Sequence, residues 1–430
     1  MAKYILQTLL AILAKLTIWR FNPKVIGITG SVGKTSTRET VFAVLKTKYR
    51  VRQAEKNYNN EIGLPLTILN IPHYGKNFLA WGWGFVLSAF SLIKSKNSYP
   101  EILILEYGVD KPGDMDFLLN LAKPDIAVIT AIGETPMHVE NFKDPEGVIS
   151  EKVKLIKCLG EDGYAILNHD DYVVYDIKNR TKGKVLTYGF EENAEVKAIN
   201  YILKTTLDET LGEMPEGASF KINFKNKIIP VRMHGVLGKS NIYAALAAAA
   251  VGTVLDINLI KVSEALADLT PPAGRLRLLM GIKNSLILDD TYNAGPESTR
   301  LALETLKDAP GKRKIVILGD MLELGKYTEA AHRSIGDQAA EFADILVTVG
   351  VRAKFISDEA NLKGLDKSQI FIFDSTDSAR GFLDQLIKEG DLILVKGSQG
   401  MRMEKIVEEI MLNPERAKEL LVRQEEYWFH

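Results

Sequence analysis

Residues 27–36 read Gly-Ile-Thr-Gly-Ser-Val-Gly-Lys-Thr-Ser, directly after the apolar pair Val25-Ile26. A glycine-rich turn that joins a buried strand to a helix commits this part of the chain to an α/β layer architecture. It also implies an anion, because backbone N–H groups of the turn and of the helix N-terminus face the same point. In this pattern Lys34 serves the outer phosphates of a nucleotide, and the Thr35 hydroxyl serves a Mg²⁺. The segment departs from G-x-x-x-x-G-K-[ST] at its first position, where Ile28 stands. What remains is Thr29-Gly30-x-x-Gly33-Lys34-Thr35-Ser36. The bland alternative is a glycine-rich turn with an exposed lysine.

The chain has 430 residues, enough for two or three domains. With 54 basic and 55 acidic side chains, its net charge of −1 offers no basic excess for nucleic acid. The single cysteine, Cys158, excludes an intramolecular disulfide and fits a reducing cytoplasm.

Residues 4–14 form an apolar stretch flanked by Lys3, Lys15 and Arg20. The stretch is too short to span a bilayer and lacks a clear cleavage site for a secretory signal. A helix packed on the body of the protein is the preferred expectation. The alternative is a helix lying on the cytoplasmic membrane face, with residues 1–20 joined there by a second apolar, Trp-containing patch at 78–93.

Short β-branched runs at 24–29, 102–106, 126–130, 285–288, 314–318, 345–349 and 392–395 read as buried strands. Helical patterns lie at 34–47, 146–159, 239–268, 297–307, 328–342 and 376–388, so parallel sheets with helical crossovers are expected. Residues 185–232 read instead as several short strands, an antiparallel insert or lobe. Pro271-Pro272-Ala273-Gly274 breaks the helical pattern and marks a domain boundary. The expected organisation is an apolar helix at 1–22, a nucleotide-binding α/β domain at 23–273 with its β-rich insert, and a Rossmann-like α/β domain at 274–430.

Glu106 ends an apolar run and is followed by Tyr107-Gly108, so its carboxylate sits at a strand tip, where a Mg²⁺ ligand belongs. A salt-bridged strand end is the plain alternative. His138 lies in the loop after the 126–130 strand, and a lone loop histidine is usually neither ligand nor phosphate contact. Lys152 falls on a predicted helix and reads as a solvated lysine. The segment Asn59-Asn60-Glu61 begins a polar turn, which reads equally as a helix-capping loop. Asp289-Asp290-Thr291-Tyr292-Asn293, Gly319-Asp320-Met321-Leu322-Glu323 and Lys396-Gly397-Ser398 each follow a predicted strand, and Gly274-Arg275 starts the second unit. Three strand-tip motifs on one unit imply that this edge meets a ligand.

In order, the motifs at 28–36, 59–67, 106–108, 274–275, 289–296, 318–325 and 395–398 resemble the Mur ligase family, over about residues 24–410. Within it they are most similar to members that add D-Ala-D-Ala to a peptidoglycan precursor. The family writes its loop Thr-Gly-x-x-Gly-Lys-[Thr/Ser], which accounts for Ile28. The resemblance implies ATP-dependent amide formation through an acyl phosphate. Residues 29–36 (Thr29, Gly30, Ser31, Val32, Gly33, Lys34, Thr35, Ser36), Asn241, Arg275 and Asp290 would bind ATP. Thr35 and Glu106 would hold Mg²⁺, with His138 and a carbamylated Lys152 at a second ion. Lys34, Lys152 and His138 would be catalytic, and Asn60, Glu61, Asn293 and Lys396 would contact substrates. The implied partners are a muramyl-peptide-like acceptor and an amino acid or dipeptide.

Several departures stand out. Ser240 precedes Asn241 where the family has His, and Gln399 follows Ser398 where it has Arg. The loop from Gly133 to His138 is about two residues longer than usual, and only about 22 residues precede the phosphate loop. Family members carry a small domain there for the uridine nucleotide, so the acceptor is expected to be recognised differently, as a nucleotide-linked or a lipid-linked precursor. The alternatives are a glutamate or poly-amino-acid ligase of the same superfamily, and a non-enzymatic nucleotide-binding scaffold.

Overall fold

The computed structural model describes residues 2–54, 58–75, 77–208 and 212–424. Its first sheet uses β1 (Lys24–Thr29), β2 (Val51–Gln53), β3 (Ile102–Glu106), β4 (Ile126–Ile129), β5 (Tyr164–Asn168), β6 (Lys184–Gly189), β7 (Val196–Asp208), β8 (Gly212–Phe224) and β9 (Lys227–His234). The order is β2-β3-β1-β4-β5-β6-β7-β8-β9. Pairing is parallel as far as β7 and antiparallel from β7 to β9. The central strands are covered on both faces, which is why they read as unbroken apolar runs.

The region 185–232 corrects the expectation of several short strands. β7 and β8 each run 13 residues, and they extend the main sheet. Alternation explains the length: Ala218, Phe220 and Ile222 point inward while polar neighbours point out, so a long strand buries only one face.

Along this unit lie α1 (Ala2–Phe21), α2 (Lys34–Leu45), α3 (Gly63–Leu69), α4 (Phe78–Ser91), α5 (Asp114–Leu121), α6 (Pro145–Lys157), α7 (Tyr172–Asp176), α8 (Lys239–Val254) and α9 (Leu259–Ala267). One core packs α1, α3, α5 and α6 on one face of the sheet. The other packs α2, α8 and α9 on the opposite face. The helical pattern at 239–268 is two helices, parted where Asp256 takes φ 54°.

α1 is longer than residues 4–14 suggested. Lysine and arginine are good helix formers, so Lys15 and Arg20 do not end it. By length and composition alone, Tyr4–Phe21 could cross a membrane, which corrects the reading that the apolar run is too short.

The second sheet uses β10 (Arg277–Met280), β11 (Leu286–Asp290), β12 (Arg313–Gly319), β13 (Ile345–Val349), β14 (Ile370–Phe373) and β15 (Asp391–Lys396). Its order is β10-β11-β15-β12-β13-β14, parallel except for β10 against β11. Here α10 (Pro296–Asp308), α11 (Thr328–Ala340) and α12 (Lys354–Leu362) follow strands as crossovers. The predicted helix 376–388 is instead two short helices, Thr376–Ala379 and Leu383–Leu386, parted by Gly381 at φ 78°. Arg275, just ahead of β10, meets Thr35 after β1, and the loop after β4 meets the loops after β11 and β12, so two ligand-binding edges share one cleft.

Candidate active site

The loop after β1 is built around close backbone approach. Gly30 takes φ 149°, and a Cβ there would sit 2.0 Å from Thr130 Oγ1. The Thr29 hydroxyl donates to the Tyr107 carbonyl at 2.8 Å, tying the loop to the tip of β3. The amides of Ser31 and Val32 donate to the Ala131 carbonyl at 2.6 and 3.1 Å. They pin the loop, and the anion-facing donors shift to the start of α2. Gly33, in the left-handed region at φ 84°, precedes α2 without a side-chain cap. The first helical bond runs from Thr37 N to Gly33 O, leaving the amides of Lys34, Thr35 and Ser36 at an open N-terminus.

Two lysine side chains converge on one carbonyl. Lys34 Nζ donates to Gly30 O at 2.9 Å, and Lys152 Nζ donates to the same atom at 3.0 Å. Lys152 is not a solvated lysine: it is 1% exposed on the inner face of α6. Burial, and then the charge of Lys34, push the Lys152 amine well below its ordinary range. Burial also lowers Lys34, against the pull of Glu106.

Glu106, at the end of β3, is buried. Its Oε2 accepts from Thr35 Oγ1 at 3.3 Å and lies 3.6 Å from an Arg38 nitrogen; its Oε1 accepts from Asn59 Nδ2 at 3.2 Å. A hydroxyl and a carboxylate side by side, both buried, are the hard oxygen donors that suit Mg²⁺ when phosphates and water complete its shell. Among the described residues, no group of three or more His, Cys, Asp or Glu could hold a metal without them.

Arg275 comes from the second unit. Its Nη2 donates to Thr35 Oγ1 at 3.4 Å, and its guanidinium lies 3.8 Å from the Tyr292 ring centroid. Arg275 Nε and Ser31 Oγ are buried without a hydrogen-bond partner, unused polar capacity at the loop that a nucleotide would satisfy. His138 takes φ 66°; its Nδ1 is 2.9 Å from Glu323 Oε2 and its Nε2 is 3.4 Å from Asp110 Oδ1. The ring therefore faces two carboxylates, one from each unit.

Other expected site residues hold the frame. Asp290 Oδ2 accepts from Lys396 Nζ at 2.5 Å, and Lys396 also donates to Asn293 O at 2.9 Å. Lys396 is 2% exposed, so it fixes the 290–293 turn. The Asn293 side chain accepts from Gln399 N at 3.1 Å. Asn60 Oδ1 accepts from Gly63 N at 2.9 Å and starts α3, while Glu61 accepts from Gln7 of α1 at 3.0 Å. Asn241 donates to the Leu237 carbonyl at 2.9 Å and is buried.

The sequence reading left Asn59, Asp110, Arg38 and Tyr292 without roles. Asn59 was visible as the first residue of its motif. Glu323 lay in a motif already noted, but nothing local identified its partner.

The family model described as the Mur ligase middle domain matches residues 28–81 and 87–252, and that of the Mur ligase glutamate ligase domain matches 274–399. A UDP-N-acetylmuramoyl-tripeptide–D-alanyl-D-alanine ligase of Bacillus subtilis is 32% identical over 411 residues, covering 95% of this chain and 80% of that one. The crystal structure of MurF from Acinetobacter baumannii superposes with a TM-score of 0.75 at 26% identity, over 92% of this chain and 79% of that one. MurF ligase from Thermotoga maritima in complex with ADP gives 0.73 at 26% identity, over 94% and 82%. A phosphate loop, a buried strand-tip carboxylate and an arginine reaching in from a second α/β unit agree with these likenesses, and the chain belongs to the Mur ligase family.

Proposed function

We propose that this chain is an ATP-dependent acid–amino-acid ligase that joins D-alanyl-D-alanine to a UDP-N-acetylmuramoyl-tripeptide in the cytoplasm, the reaction named for its relatives. The observation that carries this reading is the meeting of Lys34, Lys152, Thr35 and Glu106 at one loop, with Arg275 arriving from the second unit. Lys34 and the open N-terminus of α2 hold the outer phosphates of ATP. The acceptor carboxylate attacks the γ-phosphorus, giving an acyl phosphate and ADP. The dipeptide amine then attacks the acyl carbon, and phosphate leaves as the amine gives up its proton. Arg275 offsets charge during transfer, and contact between the two units keeps water from the acyl phosphate.

Mg²⁺ supplies charge neutralisation on the phosphates, and Thr35 and Glu106 are the residues that would hold it. Burial lowers the Lys152 amine, which suits carbamylation, and with His138 it would serve a second ion. Asn241 and Asp290 would contact the nucleotide, and Asn60, Glu61 and Asn293 the substrates.

A lipid-linked acceptor is a second reading. It is favoured by the exposed apolar residues of α1 and α4, since α1 touches Glu61 through Gln7. Phosphate release separates these readings. Release that requires both the UDP-linked tripeptide and D-Ala-D-Ala supports the first, and release only with a lipid-linked acceptor supports the second. Turnover with glutamate in place of the dipeptide, or failure to bind nucleotide, overturns both.

A further inference from the structure

α1 is apolar on two opposite faces. Leu10, Ala14, Thr17 and Phe21 point inward at helical spacing, against α3 and α5. Ile5, Leu9, Ile12, Leu16 and Trp19 repeat the same spacing on the outer side, and all are exposed, Trp19 by 80%. A helix apolar all round is one that is covered all round, and only half of this one is covered by protein.

α4 lies beside it and repeats the arrangement. Trp81 anchors it, donating from Nε1 to the Gly75 carbonyl at 3.1 Å and meeting the Tyr74 ring edge-on at 5.3 Å. Leu79, Trp83, Val86 and Phe90 then form an outward stripe, with Leu79 at 89% exposure. Of the 24 large apolar side chains exposed among the described residues, 13 lie in residues 4–19 and 78–93. Scattered singly they would need no explanation, but gathered on two adjacent helices they form an interaction surface.

The charge pattern identifies the occupant. Neither helix contains an Asp or Glu. Lys15, Arg20, Lys94 and Lys96 border the patch, and Arg20 reaches the Lys94 carbonyl at 3.4 Å, closing α1 onto the end of α4. A second copy of the chain would press these cations against their own kind. An anionic leaflet would pair with them while taking up the apolar stripes and the two interfacial tryptophans.

We infer that α1 and α4 form a docking face that lies in the plane of an anionic phospholipid surface, with their outer stripes inserted in one leaflet. α1 is long enough to cross, but its inner face is sealed to the domain, so it lies on the membrane rather than through it. The hydrogen bond from Gln7 to Glu61 sets the acceptor loop at the edge of that surface.

The test is flotation of the full chain with vesicles of phosphatidylglycerol and phosphatidylcholine, against phosphatidylcholine alone. The wild type floats with the anionic vesicles and is released by an alkaline carbonate wash. Ile12→Asp with Trp83→Asp lowers the bound fraction about tenfold or more. Both sites are exposed, so the melting temperature and solution ATP hydrolysis stay unchanged. Absence of binding to either vesicle overturns the inference. So does retention through the alkaline wash, which marks a spanning helix, and so does a concentration-dependent dimer that the same pair abolishes. Turnover is read separately in solution, so docking can fail while the ligase reading stands.

Discussion

His138 Nδ1 lies 2.9 Å from Glu323 Oε2, and the two side chains belong to different sheets. His138 follows β4 and Glu323 follows β12, so the pair forms only when the two units are together. The hydrogen bond from His138 holds the Glu323 carboxyl below its usual range, against the opposing effect of burial. Glu323→Gln should therefore loosen the closed arrangement. We expect kcat to fall with little change in fold stability, and a double-mutant cycle with His138→Asn to give a coupling of about 0.5 kcal/mol, reduced because both groups are partly exposed. The coupling should shrink further with added salt, and a salt-independent value would assign the pair to packing instead.

Lys34 and Lys152 share the Gly30 carbonyl, but their removal should read differently. With Lys34 as the proposed phosphate contact, Lys34→Ala should lower kcat/KM by about a hundredfold or more. Lys152 is buried with its amine pushed well down, first by burial and then by the charge of Lys34, which favours its neutral form. In ¹³C-bicarbonate buffer the wild type should show a carbamate carbonyl resonance that Lys152→Ala lacks. An identical spectrum from both would remove the carbamate from the mechanism and leave Lys152 as a tie on the loop.

Much of this site is local in sequence and was legible there. The phosphate loop, the Glu106 strand tip and the Asp290 strand end each combine an apolar run with a polar stop, and each stands where expected. What stayed hidden depends on partners far along the chain. By pattern Lys152 looked solvated because the Gly30 carbonyl that its buried amine reaches lies 122 residues earlier in the chain. The Lys396–Asp290 pair stayed hidden because its two residues lie 106 positions apart. Asn60 and Asn59 are adjacent and polar, and only the fold decides that one caps α3 while the other reaches Glu106. The long β7 and β8 were misread because one half-polar face resembles a series of turns.

The Lys396–Asp290 pair makes a stability prediction. Both groups are buried, and burial lowers the lysine while Asp290 opposes it. Lys396→Met would leave a buried carboxylate without its partner, at a cost of about 3 kcal/mol. Pairing it with Asp290→Asn should recover part of that loss, because the stranded charge is gone. Urea denaturation of the two single variants and the double variant measures this, and strict additivity would mean the two residues act independently.

His332 gives the loop that presents Glu323 a pH dependence. Its Nδ1 lies 2.7 Å from the Thr328 carbonyl and must donate, while its Nε2 accepts from Met321 N at 3.0 Å. That pairing requires the neutral ring, and burial lowers its pKa below the ordinary 6.5. A depressed histidine binds fewer protons folded than unfolded, so its contribution is present above about pH 6.5 and is lost as pH falls below it. The melting temperature should drop on going from pH 7 to pH 5.5. His332→Gln should cost about 1 kcal/mol at pH 7, yet flatten that drop, because the variant has nothing to protonate at this position. Carboxylates elsewhere also titrate on the acid side, so the difference between variant and wild type is the quantity to follow. A drop of equal steepness in both would place the titrating group outside this loop.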